Sequence, residues 1–207
     1  ISSLDLTKEY HKVDNTGITY DLRNGVYTIT LNMDHNIITN MYAGAITTDF
    51  LYEVVLKSSL MGNGDCVGIG AGYKDSRDSL NYNLFYVTKN KVYDQYRVYA
   101  INHQCLPPLA EVLLDKSDCE LREFTKLSVA RRKGEYFFYV NDKLVYRHDY
   151  DADRKVTRLA VVAPSQGSVA IRSAVCRSIG TSASASYRSA NMMSDEVVTP
   201  VYVALPA

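Results

Sequence analysis

Glu135 to Tyr150 reads "EYFFYVNDKLVYRHDY". Two aromatic-rich apolar runs flank Asn141-Asp142, the non-glycine residue types that best tolerate positive φ, so the pair can serve as a two-residue hairpin loop. That loop sets Val140 against Lys143, Tyr139 against Leu144, Phe138 against Val145 and Phe137 against Tyr146. Because side chains alternate along a strand, one face carries Tyr136, Phe138, Val140 and Val145. The other carries Phe137, Tyr139, Leu144 and Tyr146. Both faces are apolar, whereas a hairpin with one wet face would alternate apolar with polar. The second face must therefore be covered by protein or touch something else.

The same strand chemistry extends outward in both directions. "GVYTITLNM" (25–33) sets Val26, Thr28 and Thr30 against Tyr27, Ile29 and Leu31. "FLYEVVLKS", "LNYNLFYVT" and "KVYDQYRVYAI" are equally rich in β-branched and aromatic residues. "KLSVARR", "TRLAVVAP" and "SVAIRSAVCRS" follow at short spacing, with turn residues between them. Helical spacing occurs only in "PLAEVLLDKSDCELREF" (108–124), through Leu109, Val112 and Leu113, which reads as a short helix or a long connection. Many short strands without alternating helices predict an all-β sandwich or barrel. Composition changes after Gly180, so the expected division is a domain over 1–180 and an extension over 181–207. The extension is a small, polar, Ser-rich linker followed by "VVTPVYVALPA", strand-like over 197–205. Pro200 cannot donate to a ladder and marks an edge strand or an extended arm, paired with its own domain or with a neighbouring subunit.

The run "KLSVARRKGEYFFYVNDKLVYR" resembles the strand–turn–strand–turn–strand signature of concanavalin A-like (laminin-G-like) jelly-roll domains. "DFLYEVVLKS…GNGDCVGIGAGYKD…NYNLFYV" and "TRLAVVAPSQGSVAIRSAVCRS" fit the same pattern, so the resemblance spans about 25–178. Asp142 stands where glycine is usual, and the 102–125 connection is a departure. The resemblance implies an all-β, two-sheet antiparallel β-sandwich with a C-terminal extension. That superfamily includes lectins, carbohydrate-binding modules, glycan hydrolases and adhesion modules, so fold does not select a function.

Composition excludes some partners. With 23 Lys+Arg against 23 Asp+Glu among 207 residues, the chain has no net charge to attract nucleic acid or an anionic membrane. "ARRKG" (130–134) reads as solvated charge on a strand end. No stretch approaches the ~20 apolar residues that span a bilayer. Starting at Ile1 suits a processed or excised piece, so the lack of a leader is uninformative about secretion. Cys66, Cys105, Cys119 and Cys176 contain no C-x-x-C pair, which argues against a zinc site. They suit either two disulfides, with Cys105–Cys119 the most local pairing, or buried free thiols. The absence of any N-x-[ST] sequon leaves a bacterial or viral surface open.

Four functions compete. Glucanases of this fold set opposed carboxylates on one strand as E-x-D-x-x-E, and the nearest run here, 118–123, has the wrong order. No G-x-S-x-G or H-E-x-x-H occurs, so a glycoside hydrolase ranks third and the chain is expected to be non-catalytic. Asp149, Asp151 and Asp153 alternate in "HDYDADRKV" and could direct three hard oxygens to calcium, the one cofactor the pattern admits. EF-hand spacing fails there, and a charged loop is the competing reading. Sugars are commonly held by aromatic platforms with polar side chains. The chain has 17 Tyr and no Trp, and Tyr combines an apolar ring with a polar tip. Tyr82, Tyr86, Tyr93, Tyr96, Tyr99, Tyr136 and Tyr146 are expected to share one sheet surface with Arg97 and Asn83. The favoured expectation is an extracellular or cell- or virion-surface recognition module that binds a glycan or a surface protein. The alternative is an assembly subunit, a homo-oligomer paired through its C-terminal arm.

Overall fold

The computed structural model describes residues 2–3, 17–46, 49–59, 65–74, 80–90, 95–102, 110–114, 121, 123–133, 135–149, 155–179 and 201–203. They form two antiparallel sheets. Sheet A holds β1 (Ser2–Ser3), β2 (Ile18–Arg23), β3 (Val26–Asn32), β5 (Phe50–Ser58), β10 (Thr125–Arg132), β11 (Glu135–Val140), β12 (Lys143–Asp149) and β14 (Gln166–Ser178). Its order is β12–β11–β10–β5–β14–β3–β2, and β1 pairs with the end of β14. Sheet B holds β4 (Asn36–Ile46), β6 (Cys66–Lys74), β7 (Leu80–Asn90), β8 (Gln95–Asn102), β9 (Ala110–Leu113), β13 (Val156–Ala163) and β15 (Val201–Val203). Its order is β15–β4–β13–β6–β7–β8–β9. No helix occurs among the described residues, and none is long and apolar enough to cross a membrane. The all-β sandwich expected from sequence is what forms.

The core lies between the sheets. In β3, Tyr27, Ile29 and Leu31 point inward, the face their alternation with Val26, Thr28 and Thr30 selects. From sheet A they meet Tyr52, Val54, Leu127, Val129, Tyr136 and Phe138; from sheet B they meet Val67, Ile69, Phe85, Leu159 and Val161. Phe85 is the aromatic centre: it stacks on Phe138 at 5.1 Å and lies 6.0 Å from Tyr136 and 6.4 Å from Tyr146. A polar tie fastens one end. Asn36 Oδ1 accepts from the backbone N–H groups of Cys66 and Ser165, and Asp65 accepts from the N–H and hydroxyl of Ser165. These four residues come from three separate chain segments, and every one is buried, so their polar groups need partners inside the protein.

The hairpin forms with the expected loop. Asn141 and Asp142 have φ of 47° and 67°, the left-handed pair a type I′ turn requires. Asn141 Oδ1 accepts from Lys126 N–H, and Asn141 N–H donates to Lys126 O. The register departs from expectation one step further on. Tyr139 pairs with Leu144, but Phe138 pairs with Tyr146, across a β-bulge at Val145. The bulge turns Tyr146 toward Phe85 and Arg147 outward. Burying part of an aromatic ring outweighs one disturbed ladder step.

One other region departs from expectation. Ala110–Leu113 of "PLAEVLL" form the strand β9, with Leu113 opposite Arg97, where the spacing suggests a short helix or a connection. Tertiary pairing overrides the local helical spacing there. Leu114 and Leu121 then enter the core, and Ser58 N–H donates to Leu121 O. Phe124 lies under Arg172, whose guanidinium carbon is 3.6 Å from the ring centre. At the C-terminus, β15 extends sheet B at the edge of β4, with Val201 opposite Ile38. Cys66 and Cys176 are free thiols; the proposed partners Cys105 and Cys119 lie outside the described residues.

Candidate functional site

Each sheet has an outward face, and the two differ in what they leave open. On sheet B the register builds rows across the strands. Ile38, Val162, Gly68 and Tyr86 form one; Asn40, Ala160, Gly70 and Leu84 form the next; Arg158, Gly72 and Tyr82 form the third. Every row crosses β6 at a glycine, because Gly68, Gly70 and Gly72 alternate and so share a face. Side chains from β7 fill the space. A Cβ on Gly70 would lie 2.5 Å from Leu84 Cδ2, and one on Gly72 would lie 2.8 Å from Tyr82 Cε1. The Tyr82 ring lies down across β6 and β13, and its hydroxyl donates to Asn40 Oδ1 on β4 at 2.8 Å. That span is three strand spacings, about 14 Å, and the glycines of β6 with Ala160 of β13 leave room for it. Burial pushes the Tyr82 pKa up, partly offset by the Asn40 bond and the charge of Arg158.

This face is therefore packed. Tyr82 is 5 % exposed and Tyr86 is 2 % exposed, and with Ile38, Cys66, Leu84, Ala160 and Val162 they form a second buried cluster. No sugar can stack on rings so placed. The alternating glycines of "CVGIGAGYK" were the sequence signal for this arrangement, and it is a packing signal.

On sheet A the outward face is closed at Ser128 and Ala130 of β10, each 2 % exposed, and reaches solvent on β11 and β12. One row runs Arg177, Leu51, Ala130, Phe137, Arg147; the next runs Val175, Glu53, Ser128, Tyr139, Leu144. Phe137 and Tyr139 are half-buried neighbours on β11, and Leu144 is 49 % exposed. Ion pairs surround them. Glu53 lies 3.7 Å from Lys126 Nζ through one oxygen and 3.3 Å from Arg177 Nη1 through the other. Lys126 Nζ also reaches Asp142 at 2.6 Å, and Arg147 lies 3.5 Å from Glu135. The hydrogen bond to Asp142 is the main cause raising the Lys126 pKa. Fixed polar pairs beside two accessible rings form a surface with both apolar and hydrogen-bonding character.

The tyrosines expected on one surface are dispersed. Tyr82 and Tyr86 lie on the packed face of sheet B. Tyr96, Arg97 and Tyr99 are in β8, at register positions opposite Lys89, Thr88 and Tyr86. Tyr93 lies outside the described residues. Tyr136 is 0 % exposed in the core of sheet A, Tyr146 is inward beside Phe85, and Asn83 is buried on the core side of β7. The expectation fails for Tyr136, Tyr146 and Asn83 because strand identity does not reveal which of two sheets, or which side, a residue will face. Asp149 ends β12 opposite Glu135, while Asp151 and Asp153 lie outside the described residues. Among the described residues no group of three His, Cys, Asp or Glu is placed to hold a metal.

No protein family matches the chain by sequence, and no curated protein does. Solved structures do match. The carbohydrate recognition domain of Emp47p aligns over 86 % of this chain and 94 % of its own, with 16 % identity and a TM-score of 0.57. The chain has a concanavalin A-like fold. The κ-carrageenase of Pseudoalteromonas carrageenovora, solved with an oligotetrasaccharide of κ-carrageenan, covers 84 % and 91 % at 10 % identity, with a TM-score of 0.57. The CBM2 module of the evolved Dit protein of Lactobacillus casei BL23 phage J-1 covers 84 % and 93 % at 11 % identity, with a TM-score of 0.54. At these identities the likeness concerns fold alone.

Proposed function

We propose that the chain is a non-catalytic, extracellular or surface carbohydrate-recognition module that binds glycan on the outward face of β11 and β12. The observation that carries this reading is the pair of accessible rings, Phe137 and Tyr139, set among ion-paired Glu53, Lys126, Glu135 and Arg147. A pyranose has an apolar C–H face and a rim of hydroxyls, and such a surface can meet both. Two similar structures support it in kind, one titled a carbohydrate recognition domain and one a CBM2 module. Other similar structures are enzymes, among them the κ-carrageenase, so fold offers no choice between binding and cleavage. The missing E-x-D-x-x-E strand favours binding.

The test is a glycan array followed by calorimetry on the hits, with and without calcium. Tyr139→Ala should weaken binding by at least about tenfold, the loss of one stacked ring, while the fold persists. No binding to any glycan refutes the proposal, and release of reducing ends from a bound polysaccharide refutes its non-catalytic part.

A further inference from the structure

We infer that this face selects an uncharged glycan over one bearing uronate or sulfate groups; the inference rests on the carbohydrate reading above. Its basis is the charge arrangement around the two rings. Three cations on this face are Lys126, Arg147 and Arg177, and each faces a carboxylate: Asp142 and Glu53 for Lys126, Glu135 for Arg147, and Glu53 for Arg177. A fourth, Arg132, ends β10 opposite Glu135 in the register. Glu53 sits in the second row, one strand from Ser128 and two from Tyr139, with its two oxygens directed at different cations. An anionic sugar laid along Phe137 and Tyr139 would approach Glu53, Glu135 and Asp142 and compete with them for the same cations. A neutral hydroxyl meets no such opposition. It donates to a carboxylate and accepts from a guanidinium or ammonium, so a bound ion pair can serve both of its capacities at once.

The intact chain, titrated calorimetrically against neutral gluco-, manno- and galacto-oligosaccharides and against oligogalacturonate and a sulfated galactan, tests this. Neutral ligands should bind with an affinity that changes less than about twofold across an about tenfold range of salt, since no net charge is brought together. The same binding should fall at least about tenfold in Tyr139→Ala. Binding confined to the acidic ligands and collapsing with salt overturns the inference and leaves the carbohydrate reading standing. Neutral binding undiminished in Tyr139→Ala places the ligand elsewhere and overturns it as well. Binding to neither class overturns the carbohydrate reading itself.

Discussion

Phe138 and Tyr139 are consecutive in β11, and truncating each to alanine should have opposite consequences. Phe138 is 0 % exposed and stacks on Phe85 at 5.1 Å with ring planes 11° apart; Tyr146 lies across from it in the hairpin. Phe138→Ala leaves a ring-sized void between the sheets, in contact with side chains that both sheets hold in place. Such truncations cost about 3–5 kcal/mol. In a chain of this size that lowers the melting temperature by about 6–20 °C. Tyr139 is half-buried on the outward face, with no second sheet packed over it, so Tyr139→Ala should cost less, about 1 kcal/mol. Thermal melts and urea unfolding of both variants, run beside glycan titration, read the contrast. Phe138→Ala should lose stability and, where still folded, keep its ligand; Tyr139→Ala should keep stability and lose its ligand. Equal destabilisation by the two substitutions would refute the assignment of the two faces. So would a Phe138→Ala melt within about 2 °C of the parent, less than 1 kcal/mol in a chain this long.

Three further outcomes follow from the packing. Gly70→Ala should destabilise by about 1–3 kcal/mol through overpacking, because its Cβ would lie 2.5 Å from Leu84 Cδ2. In a double-mutant cycle with Leu84→Ala the pair should lose less than the sum of the singles, and strict additivity would disprove the contact. Tyr82→Phe removes the donor to Asn40 Oδ1 and should cost about 1 kcal/mol by urea unfolding; a gain in stability would show that the hydroxyl is a burden. Burial pushes the Cys176 thiol from 9.0 up to about 12, and the buried Tyr52 opposite it shifts in the same direction. Above pH 9 the unfolded thiol gives up its proton and the folded one keeps it, so the unfolded state binds fewer protons. Stability should therefore be unaffected by this group below pH 9 and fall as pH rises from 9 toward 12. Urea midpoints that rise over that interval would contradict it.

Sequence by itself determined the strand content and most strand positions, because alternation and β-branched content report local geometry directly. It determined the Asn141-Asp142 turn, whose positive φ values depend on just two residues, and the inward set of β3. Asp65, Asn36 and Ser165 were not legible as a tie, since they stand far apart in the chain and meet only when β4, β6 and β14 assemble. The bulge at Val145 was equally hidden, as it depends on where the Phe85 ring of the other sheet lies. The same holds for the tyrosines. Tyr86 and Tyr136 look alike in sequence, yet one lies on the packed outside of sheet B and the other in the core. For the hairpin, sequence posed the choice of covered or open and could not answer it. Tertiary structure decided that Phe138 faces the opposing sheet and Phe137 and Tyr139 face out, because a sandwich has one interior and the register with β10 assigns alternate residues to it.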